Sequence, residues 1–264
     1  MGICAIRLIF FEERYINSFP RIYVSGGEHM NGALYLRDPY LRTFDAEVIE
    51  VVGCEVVLSH TAFYPQSGGQ PSDTGVLTKG EETYRVVDVR KREGRIVHVV
   101  DHEGIQPGDG VEGNIDWDRR YLLMRYHTAA HVLSAVIHNA TGAEITGNQL
   151  GEDKARIDFN LEQFDREAMK TYEQKANELV KANKPVTIRF ISREEAVTIP
   201  SLCKLAKGLP LDIQEIRVIT IEGLDEQACG GCHVKNTSEV GMISITAMEN
   251  KGKNNRRLYF MIEK

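Results

Sequence analysis

Between residues 43 and about 115 the chain runs in short alternations of apolar and polar positions: "AEVIEVV", "CEVVLSH", "TGVLTKG", "TYRVVDVRK" and "RIVHVV", separated by Gly, Pro and Asp. A period of two sends one face of a strand inward and the other to water. Short strands at this spacing predict a small β-barrel or sandwich. The period then changes. "DRRYLLMRYHTAAHVLSAVIHNA" holds good helix formers and no Gly or Pro, which predicts a helix over 118–140 with Asp118 as its N-cap and Gly142 just past its end. A second helix is predicted in "LEQFDREAMKTYEQKANELVKANKP", with Phe164, Ala168, Tyr172, Ala176 and Leu179 or Val180 on one face and Pro185 as its stop. "ARIDF", "VTIRFIS", "IRVITI", "GMISITAM" and "RRLYFMI" read as further strands. The expected fold is therefore α+β: a small β-barrel domain over 30–117, then an α+β domain over 118–264.

Residues 1–29 show no period and are expected to be a non-native or disordered extension. The stretch "SGGEH" lies directly before Met30, and codons for Gly-Gly-Glu can spell a ribosome-binding sequence, so Met30 is the expected start. A length of 264 residues fits two domains of ordinary size. No run approaches the roughly 18 apolar residues of a membrane span, so a cytoplasmic protein is expected. Five cysteines are an odd number at low density, which fits free thiols or a metal site better than a disulfide framework. With a net charge of −6 the chain lacks the basic balance of a protein that coats nucleic acid. Contact with nucleic acid must then be local, and Arg119, Arg120, Arg125, Lys251, Lys253, Arg256 and Arg257 are its candidates.

His127 and His131, four apart on the first helix, project from one face. The protease pattern "HExxH" does not apply, since position 128 is Thr. Far down the chain "ACGGCHVKNT" offers Cys229 and His233, again four apart, with Gly230 and Gly231 letting the backbone bend both inward. Two such pairs from distant elements form the four-ligand set that suits one Zn2+ per chain. Cys232 competes as a ligand, and the Cys229/Cys232 "CxxC" has a redox reading. That reading leaves both helical histidines without a role.

"HTAAH", "CGGCHV" followed by "NTSEVG", and upstream "TAFYPQSGGQPSDTG" together resemble the editing module of alanyl-tRNA synthetases, and most closely the free-standing alanyl-tRNA editing family AlaX in its medium-length form. The resemblance spans about residues 34–260. It implies a zinc-containing editing domain shared with threonyl- and alanyl-tRNA synthetases. The implied activity is zinc-dependent hydrolysis of the ester in tRNA(Ala) mischarged with serine, or with glycine; oligomeric state is left open by the sequence, with a monomer favoured. The family motif carries Thr where Cys232 stands; Cys229 keeps the family spacing to His233 and is the expected ligand. His127, His131 and Thr61 are the implied catalytic residues, with Thr61 pointing its hydroxyl at the substrate side chain. Gly68, Gly69, Gln70, Asp73, Asn148 and Gln149 are the implied substrate-binding residues. Arg156 and Asp158 are placed to orient the pocket, and Phe63 or Tyr64 to stack on the terminal adenine. A non-catalytic RNA-binding module stapled by zinc is the alternative, since the same ligands serve both.

Overall fold

The computed structural model describes residues 32–162, 165–199, 202 and 215–263. The expected extension, Met30 and Phe164 lie outside them. Among the described residues no helix is long and apolar enough to cross a membrane.

Six antiparallel strands close into a barrel in the order β1-β2-β5-β4-β3-β6: β1 (Thr43–Val52), β2 (Glu55–Leu58), β3 (Gly75–Lys79), β4 (Glu82–Arg92), β5 (Arg95–Val100) and β6 (Gly110–Ile115). Period-two burial is clearest in β6, which alternates exposed and buried throughout. Val48, Val56, Leu77, Val86 and Val111 fill the interior. Each such side chain stabilises the fold by about 1.5–3 kcal/mol.

Helix α1 (Trp117–Thr141) follows directly. Its N-cap is Asp116, not Asp118: the Asp116 backbone is extended and its carboxylate accepts from Arg119 N, whereas Asp118 lies inside the first turn. Gly142, at φ 72°, ends it in the left-handed conformation. The helix is buried nearly all round because the chain wraps it. Helix α2 (Arg166–Lys181) packs on one side, with Met169, Ala176 and Val180 buried. A four-stranded sheet, order β12-β13-β8-β7, packs on another; its strands are β7 (Ile145–Gln149), β8 (Ala155–Phe159), β12 (Ile243–Asn250) and β13 (Arg256–Ile262). A third sheet, order β11-β10-β9, adds β9 (Val186–Ser192), β10 (Glu215–Ile221) and β11 (Asp225–Ala228), and a short helix α3 (Arg193–Ala196) follows β9. Leu133, Ile157, Phe159, Leu258 and Phe260 centre this second core.

One buried ion pair joins the two cores. Arg120, on the first turns of α1, reaches both Asp73 carboxylate oxygens with Nε at 3.0 Å, and donates to Pro39 O at 2.9 Å and Ala62 O at 2.6 Å. Asp73 also accepts from Tyr64 N at 2.6 Å. Burying two charges is tolerated here because each is paired and hydrogen-bonded.

Candidate metal centre

Helix spacing places His127 and His131 on the α1 face that looks toward the end of β11, and the loop beyond β11 brings in Cys229 and His233. One ligand atom from each of the four lies within 4.8 Å of the others. Cys229 Sγ is 3.6 Å from His127 Nε2 and 3.4 Å from His233 Nε2. Zn–N and Zn–S bonds of about 2.0–2.3 Å put tetrahedral ligand atoms about 3.3–3.8 Å apart. The donor set therefore fits zinc in chemistry, and both distances from Cys229 Sγ fall in the tetrahedral range.

The far nitrogen of every imidazole has its own acceptor. His127 Nδ1 meets Gln70 Oε1 at 2.8 Å, His131 Nδ1 meets Asp225 Oδ2 at 3.1 Å, and His233 Nδ1 meets Thr128 Oγ1 at 3.1 Å. Gln70 Oε1 also accepts from the backbone N–H of Cys232 at 3.1 Å, which fixes that atom as the oxygen. Thr128 Oγ1 likewise accepts from Val234 N at 3.2 Å. Gln70 and Asp225, both acceptors, draw the Nδ1 protons of His127 and His131, which leaves Nε2 of each ring to face the centre when an ion is bound.

Burial alone pushes the Cys229 thiol up, but His127, His131 and His233 around it outweigh burial and hold it well below the usual range. Burial and the imidazoles of His127 and His131 hold His233 well below its ordinary value. His131 goes the other way: burial lowers it, yet the Asp225 carboxylate and Cys229 raise it to about 10. The Cys229 thiolate and the Asp225 carboxylate behind His131 are the two groups that favour a cation at the centre.

Beside the ligands lies a cavity of about 410 Å³. Gly68 and Gly69 form one wall, Thr146 to Asn148 of β7 a second, Ala130 and Ser134 of α1 a third, and Cys229 to Gly231 the fourth. Two glycines are obligatory at this contact. A Cβ on Gly69, at φ 82°, would lie 1.6 Å from Asn148 Oδ1, and a Cβ on Gly231 would lie 2.0 Å from His127 Cε1.

Gly68, Gly69, Asn148, His127 and His131 line the cavity. Gln70, wholly buried, backs His127 instead. Thr61 does not face it: the side chain is buried at the barrel, with Oγ1 2.8 Å from His98 Nε2 and accepting from Phe63 N at 3.0 Å. Asp73 is spent on Arg120, and Gln149 is exposed on the outer face of β7, accepting from Arg156 at 3.2 Å. Phe63 is sealed in the barrel core and cannot stack on a base, while Tyr64 lines the cavity with its hydroxyl bonded to Ser67 O. Cys232 stands outside the ligand group, fully buried, and burial pushes its thiol up to about 11.

The basic candidates divide in the same way. Arg119 pairs with Glu152, Lys251 with Glu249 and Arg257 with Asp158, while Arg120 is internal. Arg125 and Arg256 are turned onto backbone carbonyls. Five contributors escaped the motif reading: Thr128, Ser134, Thr146, Asp225 and Gln227. Asp225 and Gln227 alternate along β11 and share its buried face, next to the loop that carries Cys229. Gln227 Nε2 donates to Asp225 Oδ2 at 2.8 Å and steadies the carboxylate behind His131.

Family comparison agrees with both halves of the chain. A model of class II (A) tRNA synthetases matches residues 34–119, and one of the threonyl and alanyl tRNA synthetase second additional domain matches residues 216–259. The alanyl-tRNA editing protein AlaX-M of Methanosarcina barkeri is 48% identical over 88% of this chain and 99% of its own length. Its namesake from Saccharolobus solfataricus is 42% identical over 89% of this chain and 100% of its own. The alanine–tRNA ligase of Ignicoccus hospitalis is 40% identical over 80% of this chain, which corresponds to 24% of that ligase. With such identity along almost the full length of both partners, the chain belongs to the AlaX-M family of alanyl-tRNA editing proteins.

Proposed function

We propose that this protein hydrolyses the ester of mischarged tRNA(Ala), chiefly Ser-tRNA(Ala) with Gly-tRNA(Ala) as a second substrate, at a centre holding one Zn2+. The observation that carries the reading is a donor set of three buried His and one half-buried Cys opening onto a cavity of about 410 Å³, in a chain whose relatives are named for alanyl-tRNA editing.

His127, His131, Cys229 and His233 hold the ion. When bound, it supplies positive charge for the ester carbonyl as that oxygen gains charge. Gln70, Asp225 and Thr128 keep the imidazoles from rotating, so this charge is already oriented before substrate arrives. Gly68 and Gly69 let the acceptor end approach the backbone closely. Asn148 and the hydroxyl of Thr146 supply polar lining for a serine side chain, while the Ser134 hydroxyl donates to Ala130 O at 2.6 Å. A polar group that bonds the extra hydroxyl spares alanine, because alanine would leave that group unpaired.

A second reading has its own observation. Four protein ligands would complete the coordination of a zinc ion, the closed arrangement typical of structural zinc. The protein would then bind RNA without cleaving the ester. Incubation with Ser-tRNA(Ala) and Ala-tRNA(Ala) separates the two: an editing enzyme releases serine at least about 100-fold faster than alanine, and His131→Ala abolishes the release. Stable esters on both tRNAs would refute hydrolysis.

A further inference from the structure

The outer face of the four-stranded sheet takes no part in the centre just described. Period-two placement puts Arg156 and Asp158 of β8 on that face with Arg257 and Tyr259 of β13, while Ile157 and Leu258 point into the core. Asp158 accepts from Arg156 Nη1 at 2.8 Å and from Arg257 Nε and Nη2 at 2.8 and 2.9 Å. Gln149 holds Arg156 from the other side, and Lys154 Nζ stands 5.4 Å from the Tyr259 ring centroid. Neighbouring Glu249 is paired with Lys251. Arg156, Arg257, Lys154 and Lys251 against Asp158 and Glu249 leave two surplus positive charges on a chain whose net charge is −6.

The two arginines are fixed and still accessible. One carboxylate orients two guanidinium planes, whose side chains stay 26% and 22% exposed. Each guanidinium carries five N–H donors, so Asp158 cannot exhaust them. The face also sits beside the cavity. β7 is an edge strand, its Gly147 and Asn148 line the cavity, and Gly147 lies opposite Asp158. β8 and β13 follow at about 4.8 Å per strand.

We infer that this face binds the phosphate backbone of the RNA strand whose terminal ester enters the cavity, with Arg156 and Arg257 as fixed contacts and Lys154 as a mobile one. Planar, pre-oriented guanidiniums suit phosphate oxygens, and such contacts position a strand without reading its bases. The inference rests on aminoacyl-tRNA as the substrate.

The test uses the full-length, zinc-loaded protein with Lys154→Gln and Arg257→Gln, singly and combined. Binding of tRNA(Ala) is followed between about 50 and 200 mM salt, and deacylation of Ser-tRNA(Ala) is resolved into kcat and KM. The double variant should raise Kd and KM about tenfold at low salt, with kcat within about twofold of wild type. The slope of log K against log salt should fall by about 1.4, from about 0.7 for each of two single-strand phosphate contacts. Lys154 is exposed, so its replacement leaves the fold intact, and a melting curve monitors Arg257→Gln. If wild type binds and deacylates while the double variant keeps its Kd and salt slope, or loses kcat with KM unchanged, this inference falls alone. If wild type neither binds nor deacylates the tRNA, the substrate reading falls and takes the inference with it.

Discussion

Gly230 and Gly231 are adjacent in the metal loop, and their surroundings give them opposite tolerance for a methyl group. A Cβ on Gly231 would sit 2.0 Å from His127 Cε1, 2.3 Å from Nδ1 and 3.1 Å from Gln70 Oε1; a Cβ on Gly230 meets nothing within 4 Å. Neither has a positive φ, so backbone strain does not enter. Restoring an ordinary carbon contact of about 3.5 Å requires the His127 ring to retreat by roughly 1.5 Å. Metal–ligand distances tolerate only about 0.2 Å. The retreat also breaks the Nδ1 bond to Gln70, a kind of loss that alone costs about 10–100-fold in metal affinity. Gly231→Ala should therefore weaken zinc binding at least about 100-fold, or about 2.7 kcal/mol, while Gly230→Ala stays within about threefold of wild type. Competition against a chromophoric zinc chelator measures both. Equal affinity in the two variants, in either direction, would refute the steric reasoning.

Other outcomes follow from groups named above. Thr61→Val strips an acceptor from Phe63 N and a partner from His98, costing about 1–3 kcal/mol; melting should shift by about 2–4 °C per kcal/mol, and the preference for Ser- over Ala-tRNA(Ala) should not change. Leakage toward Ala-tRNA(Ala) would return that hydroxyl to the substrate. Arg120→Met leaves Asp73 buried and uncompensated, so urea denaturation should show a loss of about 3–5 kcal/mol, and a loss under about 1 kcal/mol would contradict the pairing. Asp225→Asn should lower zinc affinity about 10–100-fold by loosening His131, and unchanged affinity would remove Asp225 from that role. His98 is held down to about 4 by burial, against about 6.5 in an unfolded chain, so the unfolded state binds the extra proton between those values. Stability of metal-free protein should then fall by up to about 3 kcal/mol as pH drops from 7 to 4, and His98→Gln should flatten that slope; an unchanged slope would assign it to other groups.

The alternating runs that marked the barrel were legible because each strand has one wet and one dry face. α1 was legible for a different reason. It has no polar face to betray a helical period, but 23 residues from 118 to 140 without Gly or Pro leave little else to form. Its first residue was not legible: Asp116 and Asp118 flank Trp117, both are good caps, and only the extended backbone at Asp116 chooses between them. β7 gave no strand pattern in the sequence because an edge strand over a cavity keeps Gly147 and Asn148 where a core strand would carry apolar residues.

The centre divides along the same physical line. Ligands spaced four apart on a helix and across a Gly-Gly bend announce themselves through local geometry, which is why both pairs stand out in the bare chain. Their supports do not. Gln70 comes from the barrel side, Asp225 from β11 and Thr128 from between the two helical histidines, and no spacing rule links them. Thr61 shows the converse error: a hydroxyl next to a recognisable motif invites a substrate role, yet a buried His98 and the Phe63 N–H had already claimed it. A polar side chain can be assigned to substrate only after the buried groups around it have been satisfied. On that criterion Asn148, which faces the cavity, keeps its candidacy, whereas Asp73, spent on Arg120 and Tyr64 N, does not.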